Sequence, residues 1–254
     1  MTLNPKDNSD LFALTISGLG LTGLISWVEL QLIPISSPFI KVENLRMNNL
    51  EAFFALSEES ADWPYSVAWV DCFAMGDALG RGVFTRGRHS SEVDPLDTHT
   101  THARLTWPVD APGWMLNKGT IAAFNATYRR RPGARYKGKQ HYGAFFYPLD
   151  GIDQWNRMYG RKGFFQHQCI VPKASAPNAV RQLLETIAKA GQGSFLAVLK
   201  QHAAETSPGR NSFCIEGTSL ALDFANKGPS TIALLSELDT IVLKHEGRMY
   251  PAKD

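Results

Sequence analysis

The sequence is poor in cysteine: Cys72, Cys169 and Cys214 are its three, far apart and without a C-x-x-C pair. An odd, scattered set excludes a disulfide framework and a zinc knuckle, and a reducing compartment is the natural reading. Net charge is equally scarce. Lys and Arg number 26 against 24 Asp and Glu, a balance of +2, so global electrostatics select neither nucleic acid nor a charged membrane as partner. Long apolar runs are also missing. The one uncharged stretch of note, 11–28, has 18 residues and only touches the lower limit for a membrane span. Three glycines with Thr15, Ser17, Thr22 and Ser26 dilute it, and the segment before it carries Lys6 against Asp7 and Asp10, the wrong balance for a signal peptide.

What is present is enough apolar material for a sizeable core, 44% of 254 residues. It begins with a glycine turn, Gly18-Leu-Gly-Leu-Thr-Gly23, which satisfies G-x-G-x-x-G. In a dinucleotide fold such a turn opens a helix, with an acidic residue about 20 positions on. Here Leu24, Ser26, Val28, Leu30 and Leu32 alternate with Glu29 and Gln31, a period of two that predicts a strand over 24–33. Glu43 lies at the ribose-ligand distance, but Pro34 and Pro38 intervene and no helix does. The expectation is therefore a strand, turn and strand, and the dinucleotide reading is set aside.

The second half of the chain has the clearest pattern. Residues 163–172 are aromatic and β-branched with a proline stop, a strand signature. Residues 177–190 place Val180, Leu183, Leu184, Ile187 and Ala188 at helical spacing, between Pro177 and Gly191. Strands at 194–200 and 220–224 follow, then a helix over 229–246 through Leu234, Leu235, Leu238, Ile241 and Val242, and a last strand from Arg248. The order β-α-β-β-α-β is that of a ferredoxin-like split unit. A weaker copy precedes it, with strands at 39–43, 65–73 and 82–86 and a helix at 47–58. Residues 94–139 have poor periodicity and read as long loops. The predicted fold is α+β, an antiparallel sheet of ferredoxin-like βαββαβ units with helices on one side.

Several residues carry candidate chemistry. Arg129, Arg130, Arg131, Arg135, Lys137 and Lys139 with interleaved tyrosines could track phosphates or an anionic membrane face, although Pro132-Gly133 also suits a solvated loop. Lys162-Gly-Phe164 resembles the start of an RNA-recognition signature, yet Phe165 follows and the segment falls on the first strand, not the third; no nucleic-acid partner is expected. His99 and His102 with Asp94 and Asp97 have metal-like spacing but no third ligand, and no metal is assigned. Gln166 and Gln168 project from one face of an otherwise apolar strand, as pocket walls do.

Taken in order, a set of segments resembles FAD-dependent oxidases of the vanillyl-alcohol-oxidase fold, the group that includes oxidases of sugar lactones and lipid-linked sugars. The segments are Asp10-Leu-Phe-Ala13 with the glycine turn, Tyr65-Ser-Val-Ala-Trp-Val-Asp71, Leu79-Gly-Arg-Gly82, Thr85-Arg-Gly-Arg88, Tyr147-Pro-Leu-Asp150 with Trp155-Asn-Arg157, Gly163-Phe-Phe-Gln-His-Gln168, Ser194-Phe-Leu-Ala-Val-Leu-Lys200 and Gly247-Arg-Met-Tyr-Pro-Ala-Lys-Asp254. They are collinear from Asp10 to the end. The resemblance implies a remnant of the FAD-binding domain at 1–36, a substrate-binding or cap domain at 37–247, and the start of a return to the flavin domain at 248–254.

By the same resemblance Gly18, Gly20, Thr22 and Gly23 match a turn passing close to FAD. Lys253 matches a lysine beside the isoalloxazine and substrate, where a cation stabilises the anion formed as hydride arrives at N5, and Tyr250 matches an active-site tyrosine. Gln166, Gln168 and Lys200 match pocket residues, and Trp69 and Tyr147 match pocket walls. Departures occur at Thr218, Ser219 and Ala221, where mycobacterial members carry tryptophan, asparagine and cysteine, and at His202, where they carry an aromatic. The implied activity is oxidation of a secondary alcohol of a sugar, sugar lactone or lipid-linked sugar, in the cytoplasm with peripheral contact at the inner membrane. A missing FAD-binding region would be the natural partner, and the chain alone is expected to bind FAD poorly. The competing expectation is a stand-alone module holding an anionic ligand on the basic segment 129–139.

Overall fold

The computed structural model describes residues 1–92, 105–113, 115–131, 135–204 and 207–253. In chain order the elements are α1 (Ser9–Thr15), β1 (Phe39–Met47), α2 (Leu50–Glu59), β2 (Tyr65–Val70), β3 (Gly82–His89), β4 (Leu105–Thr106), α3 (Lys118–Arg130), β5 (Lys137–His141), α4 (Tyr142–Phe146), β6 (Ile152–Asp153), β7 (Phe164–Pro172), α5 (Ala176–Ala190), β8 (Ala197–His202), β9 (Gly217–Ala225), α6 (Pro229–Lys244) and β10 (Arg248–Met249). Eight strands form one sheet in the order β10-β7-β9-β8-β2-β3-β1-β5, and β4 and β6 form a small parallel pair. The α+β expectation is met.

The sheet divides into two halves of identical plan. Numbered within each half, β10-β7-β9-β8 and β5-β1-β3-β2 both run 4-1-3-2, each the order of a ferredoxin-like unit. They join through β8 and β2, whose antiparallel ladder holds only Ala68↔Leu199 and Trp69↔Val198.

Strand alternation decides which face each residue serves. Ala68, Phe84, Val171, Leu199, Leu220, Leu222 and Phe224 point to one face, where Phe53 of α2, Leu183 and Ile187 of α5 and Leu238 of α6 bury them in the main core. Local sequence explains these helices. The side chain of Asn49 accepts the Ala52 N–H at the start of α2, proline occupies the first turn of α5 and α6, and Gly191 ends α5 with φ 64°, a left-handed turn that glycine enters without strain.

Three expectations need correction. The loop reading of 94–139 fails because α3 lies inside it and β5 begins within it. Helices on one side also fails: α3 covers the other face, with Tyr128 packed on Trp69 and Val83. Neither strand of the expected strand, turn and strand forms: the segment before the turn is the helix α1, and no strand forms over 24–33. The chain there has no secondary structure, and Leu24, Trp27, Val28, Leu30, Leu32 and Ile33 are exposed. Period-two patterning makes a strand only where a neighbouring edge takes its hydrogen bonds, and among the described residues none does. Upstream of it α1 ends in a turn, Gly18 N–H bonding to the Thr15 carbonyl.

Candidate functional site

The face opposite the main core is closed by α3 and α4 over the first half and only partly closed over the second, where Lys200 is exposed, Gln166 and Gln168 are half-buried, and Ile170, Ser219 and Asp223 are buried. On that more open face the register sets side chains in rows: Gln166 beside Asp223, Gln168 beside Ala221, and Ile170 beside Ser219. The rows continue onto β8, where Val198 pairs with Ala221 and Lys200 with Ser219, and the Val198 row reaches Trp69 on β2. Gln166, Gln168, Lys200 and Trp69 are thus brought to one face.

The rows are linked by hydrogen bonds. Gln166 donates from Nε2 to Asp223 Oδ1 at 2.9 Å and accepts at Oε1 from Lys253 Nζ at 2.8 Å. Tyr159 donates its hydroxyl to the other Asp223 oxygen at 3.2 Å. The single-turn helix Trp155–Tyr159 holds that phenol, whose ring stacks on Phe164 with centroids 4.4 Å apart. Asp223 is 5% exposed, and burial raises its carboxyl above the ordinary aspartate value. Burial likewise pushes up the Tyr159 phenol, with the Asp223 charge adding to it.

The C-terminal segment is tied to the same strip. The Tyr250 N–H donates to the Gln168 carbonyl at 2.8 Å, and its ring meets Phe213 at 4.9 Å. The loop carrying Phe213 also holds α1: Arg210 bonds Asp10 at 2.6 Å and donates its N–H to the Ala13 carbonyl. One loop therefore ties α1 to Tyr250. In the glycine turn following α1, Gly18 is buried, Gly20, Thr22 and Gly23 are exposed, and Thr22 shares a hydroxyl hydrogen bond of 3.0 Å with Thr15. Gly20 and Gly23 have φ of 76° and 137° and open space where a Cβ would stand.

Where β2 and β8 part beyond their short ladder, a cleft of about 970 Å³ opens, lined among others by Tyr65, Val67, Phe146, Val198, Lys200 and His202. His202 bonds Ser219 at 2.9 Å. Trp69 is not at an open wall: it is 8% exposed, donates Nε1–H to the Phe195 carbonyl at 2.8 Å and lies under Tyr128. Tyr147 is exposed just past α4. Sequence reasoning missed Asp223 and Tyr159. The register of β7 and β9 is what brings Asp223 beside Gln166, and no local pattern announces it.

The basic segment is dispersed. Arg131 lies over the Tyr128 ring at 3.7 Å, Arg129 bonds Asn48 at 2.9 Å, and Lys137 and Lys139 pair with Glu43 and Glu92. His99, His102, Asp94 and Asp97 lie outside the described residues. No group of three or more potential metal ligands occurs among the described residues. No helix among them is long and apolar enough to cross a membrane.

The second half of the α+β sheet thus gathers two glutamines, a buried aspartate and two lysines, Lys200 and Lys253, on the face opposite the main core. No family model matches the chain. It is 31% identical over 260 residues to the decaprenylphosphoryl-β-D-ribose oxidase of Mycolicibacterium smegmatis, an alignment covering 97% of this chain and 55% of that protein. It is 27% identical over 259 residues, 96% of this chain and 70% of the relative, to a Streptomyces coelicolor protein described as uncharacterized, in the mprA 5' region. The resemblance to an oxidase is borne out. The chain spans little more than half the length of the oxidase it matches.

Proposed function

We propose that this chain is the substrate-binding part of an FAD-dependent oxidoreductase that oxidises a secondary alcohol of a sugar, sugar lactone or lipid-linked sugar. The observation that carries the reading is the 31% identity along 97% of the chain to an oxidase whose name gives a lipid-linked ribose as its substrate. The open face supports it with suitable chemistry.

The residues fit one edge of a flavin. Lys253 supplies a cation held at a fixed point by Gln166, and the exposed turn at Gly20 and Gly23 leaves room for backbone to approach a planar ring. Among the described residues this turn follows a helix and does not open one, so it supplies no pyrophosphate cradle of the dinucleotide kind. A bound flavin would supply the hydride acceptor, N5. The chain's own part is to bind and orient. Gln166 and Gln168 present amides to sugar hydroxyls, and Lys200 stands between them and the cleft. Tyr65, Val67, Phe146 and Val198 give that cleft apolar walls, suited to the first part of a lipid tail. Lys253 would offset negative charge gained by the ring system on reduction. A lipid-linked substrate also implies peripheral contact with the inner membrane from the cytoplasm.

The test is co-expression with the part of the mycobacterial oxidase that this chain does not cover. The expected result is a yellow complex with flavin absorption, bleached by a polyprenylphosphoryl pentose under anaerobic conditions and not bleached in Lys253→Met. A complex that forms yet holds no flavin would refute the reading.

A further inference from the structure

We infer that Asp223 is a positioning residue: its carboxylate dictates the orientation of the Gln166 amide, and through it the place of the Lys253 ammonium on the open face. The inference rests on the oxidase reading only for what Lys253 then does.

The argument starts from hydrogen-bonding capacity. An ionised carboxylate only accepts, whereas an amide has one accepting and one donating end. Asp223 takes the Tyr159 hydroxyl on one oxygen and the Gln166 Nε2 on the other. Gln166 can satisfy it only with its NH2 group, so its carbonyl must point away, toward Lys253 Nζ at 2.8 Å. The reverse orientation would set a carbonyl against a carboxylate and an NH2 against an ammonium, a mismatch at both ends.

The elements make the arrangement stiff where it needs to be. Asp223 sits in a central strand, directly paired with Gln166 in the β7–β9 ladder, and is 5% exposed. Tyr159 is fixed by its stack on Phe164. Lys253, by contrast, is an exposed residue beyond the last strand. A long ammonium side chain loses considerable rotamer freedom when it is held, and one oriented acceptor offsets part of that cost. A buried carboxylate is costly to keep, and holding an amide in one of two orientations is a use that packing alone would not require. Asparagine at 223 would remove the dictation, because its own amide can turn to meet either orientation of Gln166.

The test uses the intact chain and trace acetylation of lysines by acetic anhydride, read by mass spectrometry, with Lys173 and Lys244 as internal references. Asp223→Asn is expected to speed labelling of Lys253 roughly tenfold, the equilibrium equivalent of one charged hydrogen bond, with the references unchanged. Gln166→Met should do the same, and it covers the case in which the Asp223 variant fails to fold. The double variant should be no faster than either single one, since all three residues act in one series. Asp223→Asn should also place the Gln166 side-chain amide protons, shifted by the carboxylate in the native chain, at ordinary positions in the 15N spectrum. Labelling of Lys253 at the native rate in Asp223→Asn, or effects that multiply in the double variant, would overturn the inference. Failure of flavin binding in the co-expression experiment, with this labelling pattern intact, would remove the oxidase reading and leave the positioning role standing.

Discussion

The two halves of the sheet share strand order and differ in where their second helix goes. In the second half α5 and α6 lie together on the core face, and the other face is only partly closed, with Lys200 exposed, Gln166 and Gln168 half-buried and Asp223 buried upon it. In the first half only α2 joins that core, and α3 crosses to the opposite face, where Tyr128 meets Trp69 at 4.5 Å and Phe124 meets Phe195 at 5.0 Å. The same topology is thus a packed layer in one half and, in the other, the face proposed to bind substrate. Helix placement, not strand order, makes the difference.

Each half also buries an aspartate, and the two are in opposite circumstances. Asp71 is 3% exposed and saturated: Arg81 binds it through two nitrogens at 3.0 and 2.7 Å, Asn125 of α3 at 2.7 Å and the Phe73 N–H at 3.1 Å. It pins α3 to the sheet. Asp223 instead has neutral partners, Tyr159 and Gln166, with the nearest cation, Lys253, one residue further out.

The sharpest way to break the comparison is at these two positions. Asp71→Ala should cost about 3 kcal/mol, measured by urea denaturation, because it strands Arg81 and Asn125 without their shared acceptor. A loss below about 1 kcal/mol would mean that α3 is held by its apolar contacts alone.

Glu43 offers a smaller effect in the first half. Lys137 first, then Arg86, hold its carboxyl below the ordinary value of 4.5, tying β5 and β3 to β1. A lowered carboxyl contributes stability above its unfolded value that disappears as pH falls through the folded one. Glu43→Gln should therefore cost about 1 kcal/mol at neutral pH and flatten the acid side of the stability profile below 4.5. A variant with the native acid profile would contradict this.

Asp223→Asn should be the mildest in stability. Its folded carboxyl is raised above 3.8 by burial, so the folded state binds protons more tightly, and native stability declines as pH rises from 3.8 through the folded value. The asparagine variant escapes that decline. Its melting temperature near neutrality should equal or exceed the native one, and the two should converge in acid. A lower melting temperature at neutral pH would make Asp223 a structural anchor like Asp71.

Legibility in the sequence followed the same division. The second half could be read because α5 buries one continuous apolar stripe, Val180, Leu183, Leu184 and Ile187, on a period of 3.6. In the first half α3 buries only Ile121 and Asn125, too little for the stripe to register. Its signal was the capping box of Asn117 and Thr120, followed by Ile121, Asn125 and Tyr128 at helical spacing. The strand over 24–33 failed for the converse reason: the pattern is present, and among the described residues no edge pairs with it. Of the site, Gln166 and Gln168 were visible as polar residues in an apolar strand, and the resemblance supplied Lys253 and Tyr250. Asp223 and Tyr159 were invisible because cross-strand register and a distant turn create their contacts.

The claim that the open face of the second half is the binding face is most directly tested by amide chemical-shift mapping with a short-chain prenylphosphoryl pentose. The account predicts shifts along β7, β8 and β9, at Lys253 and around the cleft at Lys200 and His202. Shifts confined to α5 and α6, or to the basic segment 129–139, would contradict it.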